Sequence, residues 1–146
     1  MNLNKQTKKQ SGFTIIEVMI VLAVAGLIMA IVFLAIPALQ RSNRNTQRKN
    51  DATRLAGLVA EYGSNNNGQL PGNVAAAIGT PTWSYFTTVS LATQASNPAA
   101  PNSDTMILVT GAACGNGAGG APTAGTARQT VVYWGIEPSG TQCLAQ

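Results

Sequence analysis

The chain has 146 residues, 10% of them charged, a formal net charge of +4 and no histidine. That length accommodates one ordinary globular domain plus a short accessory segment. The lack of imidazole excludes histidine-based catalysis and histidine metal sites. A charged share well below the usual ~25% leaves the surface to be built from Asn, Thr, Ser, Gln, Gly and Ala.

Residues 1–12 are polar and basic, with Lys5, Lys8 and Lys9 and no apolar periodicity. They read as a targeting and processing leader outside the fold. Beyond them only six basic and five acidic side chains remain. The high pI is therefore mostly a property of the leader, and a nucleic-acid partner is possible but unsupported.

Phe13 to Leu39 is one continuous apolar run, broken by a single charge, Glu17. Roughly 20 residues cross a bilayer at about 1.5 Å each, so this run is long enough. An ordinary secretory signal has an apolar core of only about 7–15 residues, followed by a small-residue cleavage site. Here the small residue, Gly12, precedes the run, and cleavage after it keeps the helix.

The segment Gly12-Phe13-Thr14-Ile15-Ile16-Glu17 resembles the processing site of type IV prepilins. Those have a short basic leader ending in glycine, then an aromatic or similar residue, and glutamate as the fifth mature residue. The resemblance covers the leader and apolar helix. It implies cleavage between Gly12 and Phe13 by a membrane aspartyl prepilin peptidase, with N-methylation of Phe13. It further implies assembly of a homopolymer, driven by an ATPase and a membrane platform protein, and gives Glu17 a role in assembly. It places the leader in the cytoplasm; positive charge flanks the run on both sides, so the charge count alone is indecisive.

A carboxylate near the end of a membrane helix is costly and is a functional hypothesis by default. The bland alternative is a glutamate reaching the lipid headgroups. Cleavage would turn the Phe13 nitrogen from a neutral amide into a cationic amine, four residues from Glu17. Glu17 can meet its own amine or that of a staggered neighbour. In the second case charge is neutralised only on assembly, and processing acts as the switch.

Gly26 and Pro37 weaken the helix locally, with a kink expected near Pro37. Arg41, Arg44 and Arg48 share one helix face, with Lys49 beside them. They read as a solvated juxtamembrane face, in preference to a DNA-binding stripe. Ala52, Leu55, Leu58, Val59 and Tyr62 recur at spacings of three and four, the stripe of an amphipathic helix. One helix from Phe13 to about Ser64 follows, stopped by Asn65-Asn66-Asn67-Gly68 and Leu70-Pro71-Gly72.

Asn73 caps a short helix to Ile78. Thr82 to Thr93, with Trp83, Tyr85 and Phe86, fits a helix or an aromatic-burying loop. Asn97 to Ser103 is a linker. Thr105–Thr110, Gln129–Ile136 and Gln142–Ala145 are strands, the last two joined as a hairpin through Pro138-Ser139-Gly140. Gly111 to Thr126 is mostly Gly and Ala and is expected to be an exposed loop. Cys114 and Cys143 are an even pair in an exported region, which most often means a disulfide. Two buried thiols that never meet is the alternative. The pilin resemblance also leads one to expect a C-terminal disulfide.

The expected fold is α+β. A long N-terminal helix, membrane-embedded in its first half, packs by its second half on a small antiparallel sheet of three or four strands. The expected organisation is a leader (1–12), an apolar transmembrane and filament-core helix (13–39) and an extracellular headpiece (40–146). The headpiece divides into an amphipathic helix (40–64), a loop region (65–104) and a sheet (105–146). No phosphate-binding loop, CxxC pair, nucleophile–base pair or clustered oxygen ligands are readable, so no enzyme activity, metal or cofactor is expected. The resulting expectation is a structural pilus subunit, held in the cytoplasmic membrane among lipid before assembly and extracellular afterwards. A minor pilin or secretion-system pseudopilin is the near alternative. A membrane-tethered adhesin or DNA-binding module is the distant one.

Overall fold

A computed structural model describes residues 12–79, 81–115 and 119–146. The leader lysines, Thr80 and the centre of the Gly-rich segment (116–118) lie outside the described residues. The chain divides between Leu39 and Gln40 into two units.

Helix α1 spans Ile15–Asn65. Its first unit is apolar on every face, which is why it has no amphipathic side to fold against. Every large hydrophobic side chain from Phe13 to Leu39 is exposed, and Pro37 lies inside the helix. In the second unit α1 buries Arg48, Asp51, Ala52, Leu55, Ala56 and Val59. The helix stops where the sequence offers left-handed residues: Asn67 has φ 54° and Gly68 φ 77°. There the Gly68 amide donates to the Gly63 carbonyl at 2.7 Å, closing the end as glycine-type C-caps do.

After α2 (Val74–Ile78) come β1 (Thr88–Thr93), a 3-10 turn (Gln94–Ser96), β2 (Thr105–Thr110), β3 (Ala112–Cys114), β4 (Pro122–Ala124), β5 (Thr130–Gly135) and β6 (Thr141–Ala145). The main sheet has the order β1-β2-β5-β6, and β3 pairs with β4 in a second, two-stranded sheet. β2–β5 and β5–β6 are antiparallel, with Leu108 opposite Val132 and Tyr133 opposite Cys143.

Strand alternation builds two cores. Met106, Leu108, Val132 and Trp134 face the helix residues Ala52, Leu55, Ala56 and Val59, with Phe86. Val109, Val131, Tyr133 and Cys143 face the other way and pack with Ala112. All six residues of β5 are buried, because α1 covers one face and the β3 region the other. Gly135 has no room for a side chain: a Cβ there would lie 2.3 Å from the Asn102 carbonyl oxygen.

Three expectations are corrected. The segment read as helix or aromatic loop, Thr82 to Thr93, contains β1, whose Val89 and Leu91 pack against the inner core. β1 pairs with β2 in parallel, Thr88 opposite Thr105, so the sheet is mixed and not wholly antiparallel. The segment expected as an exposed loop, Gly111 to Thr126, carries β3 and β4, and Ala112 is fully buried. Its small residues let backbone approach the sheet, where larger side chains would hold it off.

Candidate processing and assembly site

Gly12, Phe13 and Thr14 precede the first turn of α1 and are exposed. Helix onset is fixed by Thr14 and Glu17 together. The Thr14 backbone N–H donates to Glu17 Oε2 at 2.8 Å, and its hydroxyl donates to the same oxygen at 2.7 Å. The Glu17 amide points back at Thr14 Oγ1 at 3.4 Å, and the Val18 amide at the Thr14 carbonyl, also 3.4 Å. This is the reciprocal Thr-x-x-Glu capping box, which satisfies amides a helix start leaves open. Among the described residues no hydrogen bond or ion pair reaches Glu17 Oε1. The carboxylate thus holds its own helix end with one oxygen and presents the other.

The helix following this cap is long and apolar enough to cross a membrane, and its apolar stretch is not buried by the rest of the chain. Glu17 is its acidic first-turn residue, placed where a negative charge complements the helix dipole.

The headpiece unit holds a second polar assembly. Glu137, two residues past β5 in the β5–β6 connection, accepts from Arg44 Nε at 3.0 and 3.1 Å and pairs with Arg44 Nη2. Arg48 Nη2 reaches the other carboxylate oxygen at 2.6 Å. Asn45 brackets the Glu137 backbone: its Nδ2 donates to the carbonyl at 2.8 Å, and its Oδ1 accepts from the amide at 3.0 Å. Arg48 also donates to the Ser103 carbonyl and Asn45 Oδ1, each at 2.8 Å. Its guanidinium stacks over Tyr85, 4.2 Å from the ring centroid. One turn on, Asp51 accepts from the Tyr85 amide at 3.0 Å. Arg54 follows, lying over Trp83 and donating to the Thr82 carbonyl at 3.1 Å. Hydrogen bonds from Arg44 first, and Arg48 second, pull the Glu137 carboxyl down to about 2, and the bond to Glu137 raises Arg44 above its ordinary value.

This overturns the reading of Arg41, Arg44 and Arg48 as one solvated face. Arg48 is fully buried and Arg44 half-buried, while Arg41 and Lys49 are exposed. The physical reason is that Arg48 stands four residues before Ala52 and seven before Leu55, on the core stripe. Its charge is tolerated there because all three guanidinium nitrogens find acceptors. The sequence offers no polar role for Asn45 or Glu137, and Tyr85 enters it only as an aromatic to be buried. The contacts that join α1 to Tyr85 and Glu137 span tens of residues and leave no local pattern.

Cys114 on β3 and Cys143 on β6 form a disulfide, with Cα atoms 5.7 Å apart. Among the described residues no three His, Cys, Asp or Glu side chains gather as metal ligands would. A cleft of about 550 Å³ near Leu70, Leu91, Gln94 and Ala127 is lined by no titratable side chain.

A family model described as the prokaryotic N-terminal methylation motif matches residues 7–33. No curated protein and no solved structure gives a significant match. The matched span contains Gly12, Phe13, Thr14 and Glu17 together with most of the exposed apolar helix. The motif is the leader signature of type IV pilins, and it marks the chain as a pilin-like or pseudopilin-type prokaryotic protein.

Proposed function

We propose that this chain, which carries the leader signature of type IV pilins at residues 7–33, is a structural subunit of a type IV pilus. The precursor is held in the cytoplasmic membrane by residues 13–39. A prepilin peptidase cuts between Gly12 and Phe13, and the new amine of Phe13 is methylated. The processed chain then polymerises through its N-terminal helix into an extracellular filament, with residues 40–146 outermost. An ATPase and a platform protein supply the work.

The observation that carries this reading is the exposed helix directly after Gly12-Phe13, apolar through Leu39 but for Glu17 in its first turn. Eighteen large hydrophobic side chains are exposed between Phe13 and Leu39, far more than a soluble monomer leaves uncovered. Lipid covers them before assembly and neighbouring helices cover them after it. Glu17 supports a role beyond anchoring. A simple anchor gains nothing from an intramembrane carboxylate, whereas the presented Oε1 is an acceptor for the cationic amine of a staggered neighbour. Each charge is costly in a low dielectric until it meets its partner.

The test compares processed subunit retained in the membrane with filament sheared from cells, for the wild type and Glu17→Gln. Glutamine can keep the capping box but cannot neutralise an amine. The reading expects normal insertion and cleavage of Glu17→Gln and collapse of its filament yield. Normal filament yield would return Glu17 to the role of a headgroup-reaching side chain. The pseudopilin alternative predicts that even the wild-type chain is scarce or absent from sheared filaments.

A further inference from the structure

We infer that Thr14 is a positioning residue for leader removal: its cap with Glu17 starts the helix after the scissile bond and keeps the Gly12–Phe13 peptide out of helical geometry. The inference rests on the processing step proposed above. Hydrolysis there adds water across the amide. The bond between the Gly12 carbonyl carbon and the Phe13 nitrogen breaks, hydroxyl goes to Gly12 and the proton to Phe13. For this the carbonyl must be reachable and the backbone extended, as for peptides that peptide-binding clefts take in strand form. In a helix the same carbonyl would be bonded to the amide four residues on, that of Ile16, and ringed by side chains.

Apart from Thr14 and Glu17, no residue between Phe13 and Leu22 stops the helix from starting earlier, at Gly12 or Phe13. Phe13, Ile15 and Ile16 are apolar like the rest of the run, and a membrane favours backbone that satisfies its own hydrogen bonds. The next hydroxyl upstream in the sequence is Ser11, also a good cap residue type. A helix capped there would take in Gly12 and Phe13. What holds the boundary at Ile15 is the set of three contacts between Thr14 and Glu17, at 2.7, 2.8 and 3.4 Å. Thr14 and Glu17 fall three residues apart, as a capping box requires. Glu17 therefore acts twice, first through Oε2 in the precursor and then through Oε1 in the filament.

The experiment measures initial cleavage of the full-length membrane precursor by a prepilin-type aspartyl peptidase, with backbone chemical shifts of residues 12–16 in micelles as the second readout. Thr14→Val keeps the shape and removes the hydroxyl; Thr14→Ser keeps the hydroxyl. Loss of a cap shifts such a boundary equilibrium about fivefold. The expected result is cleavage of Thr14→Val about fivefold slower, with helical shifts reaching Phe13, and Thr14→Ser cut like the wild type. Wild-type cleavage of Thr14→Val would overturn the inference. So would slow cleavage with an unchanged helix start, which would mean that the peptidase reads the hydroxyl itself. A wild-type precursor that is not cut between Gly12 and Phe13 would instead overturn the processing step on which the inference rests.

Discussion

Replacing Cys114 and Cys143 together by serine removes the cross-link between β3 and β6. The bridge closes a sequence separation of 29 residues. In the chain-entropy treatment, opening a loop of that size costs about 3.6 kcal/mol at 25 °C. For a unit the size of residues 40–146, that corresponds to a fall in Tm of about 16 °C. The loss is directional. Cys143 packs with Val109, Val131, Tyr133 and Ala112, so the outer core loosens first. The inner core of Leu55, Met106, Leu108 and Trp134 contains no cysteine and should persist. Thermal unfolding of the purified processed chain in detergent, with and without reductant, measures the total. Amide exchange localises it, with residues 112–114 and the Thr123 and Ala124 amides predicted to exchange well before Thr105–Thr110. A double variant within about 1 kcal/mol of the wild type would refute the argument, since unfolded-chain entropy would then not be what the bridge restricts. Uniform loss of protection across both cores would refute the directional part.

The Glu137 cluster gives headpiece stability a pH signature. The carboxyl is held at about 2 when folded and sits near 4.3 in an unfolded chain, so the unfolded state binds more protons between them. Its contribution is present above about pH 4.5 and is lost as pH falls toward 2. Glu137→Gln should flatten that limb of the stability curve, read by denaturant titration from pH 6 to 2; an unaltered limb would remove Glu137 as its source. Leu55→Ala, at a fully buried site facing Leu108 and Trp134, should cost about 2–5 kcal/mol, measured by urea unfolding of the processed chain. Gly57 lies on the face of α1 opposite that core, with Thr46, Asn50, Thr53, Ala60 and Ser64, all exposed, and a Cβ there meets open space. Gly57→Leu should therefore leave the monomer as stable or stabilise it by about 1 kcal/mol. It should lower filament yield by holding neighbouring helices apart, as assayed in sheared fractions.

The parts of this fold legible in the sequence are those where one local rule dominates. Hydrophobic periodicity and the Asn65-Asn66-Asn67-Gly68 stop mark α1, whose observed end, Asn65, is the first residue of that stop. The apolar run Thr105–Thr110 is β2 to the residue, and Pro138-Ser139-Gly140 marks the β5–β6 hairpin. β1 was ambiguous because Thr88–Thr93 alternates small and medium side chains just after an aromatic cluster, and its status depends on a parallel partner. β3 (Ala-Ala-Cys) and β4 (Pro-Thr-Ala) are hidden because three residues, with Thr123 the one strongly β-favouring side chain, carry too little strand signal; their antiparallel pairing with each other makes them strands. At the polar sites, Glu17 stood out as the lone charge in an apolar run. The capping role of its partner Thr14 is absent from the sequence reading, although Thr-x-x-Glu before an apolar segment is a local helix-start signature. Arg48 was grouped with Arg41 and Arg44 by charge, when its spacing from Ala52 and Leu55 groups it with the core.

The mass of the protein sheared from the surface of intact cells tests the central claim most directly. The account predicts a chain that has lost its first 12 residues and begins at Phe13, with one methyl on its amine. It predicts that this species is the principal component of the sheared filament. Sheared protein that retains residues 1–12, or that begins after Ala30 or Ala35 and so has lost the apolar helix, would contradict it.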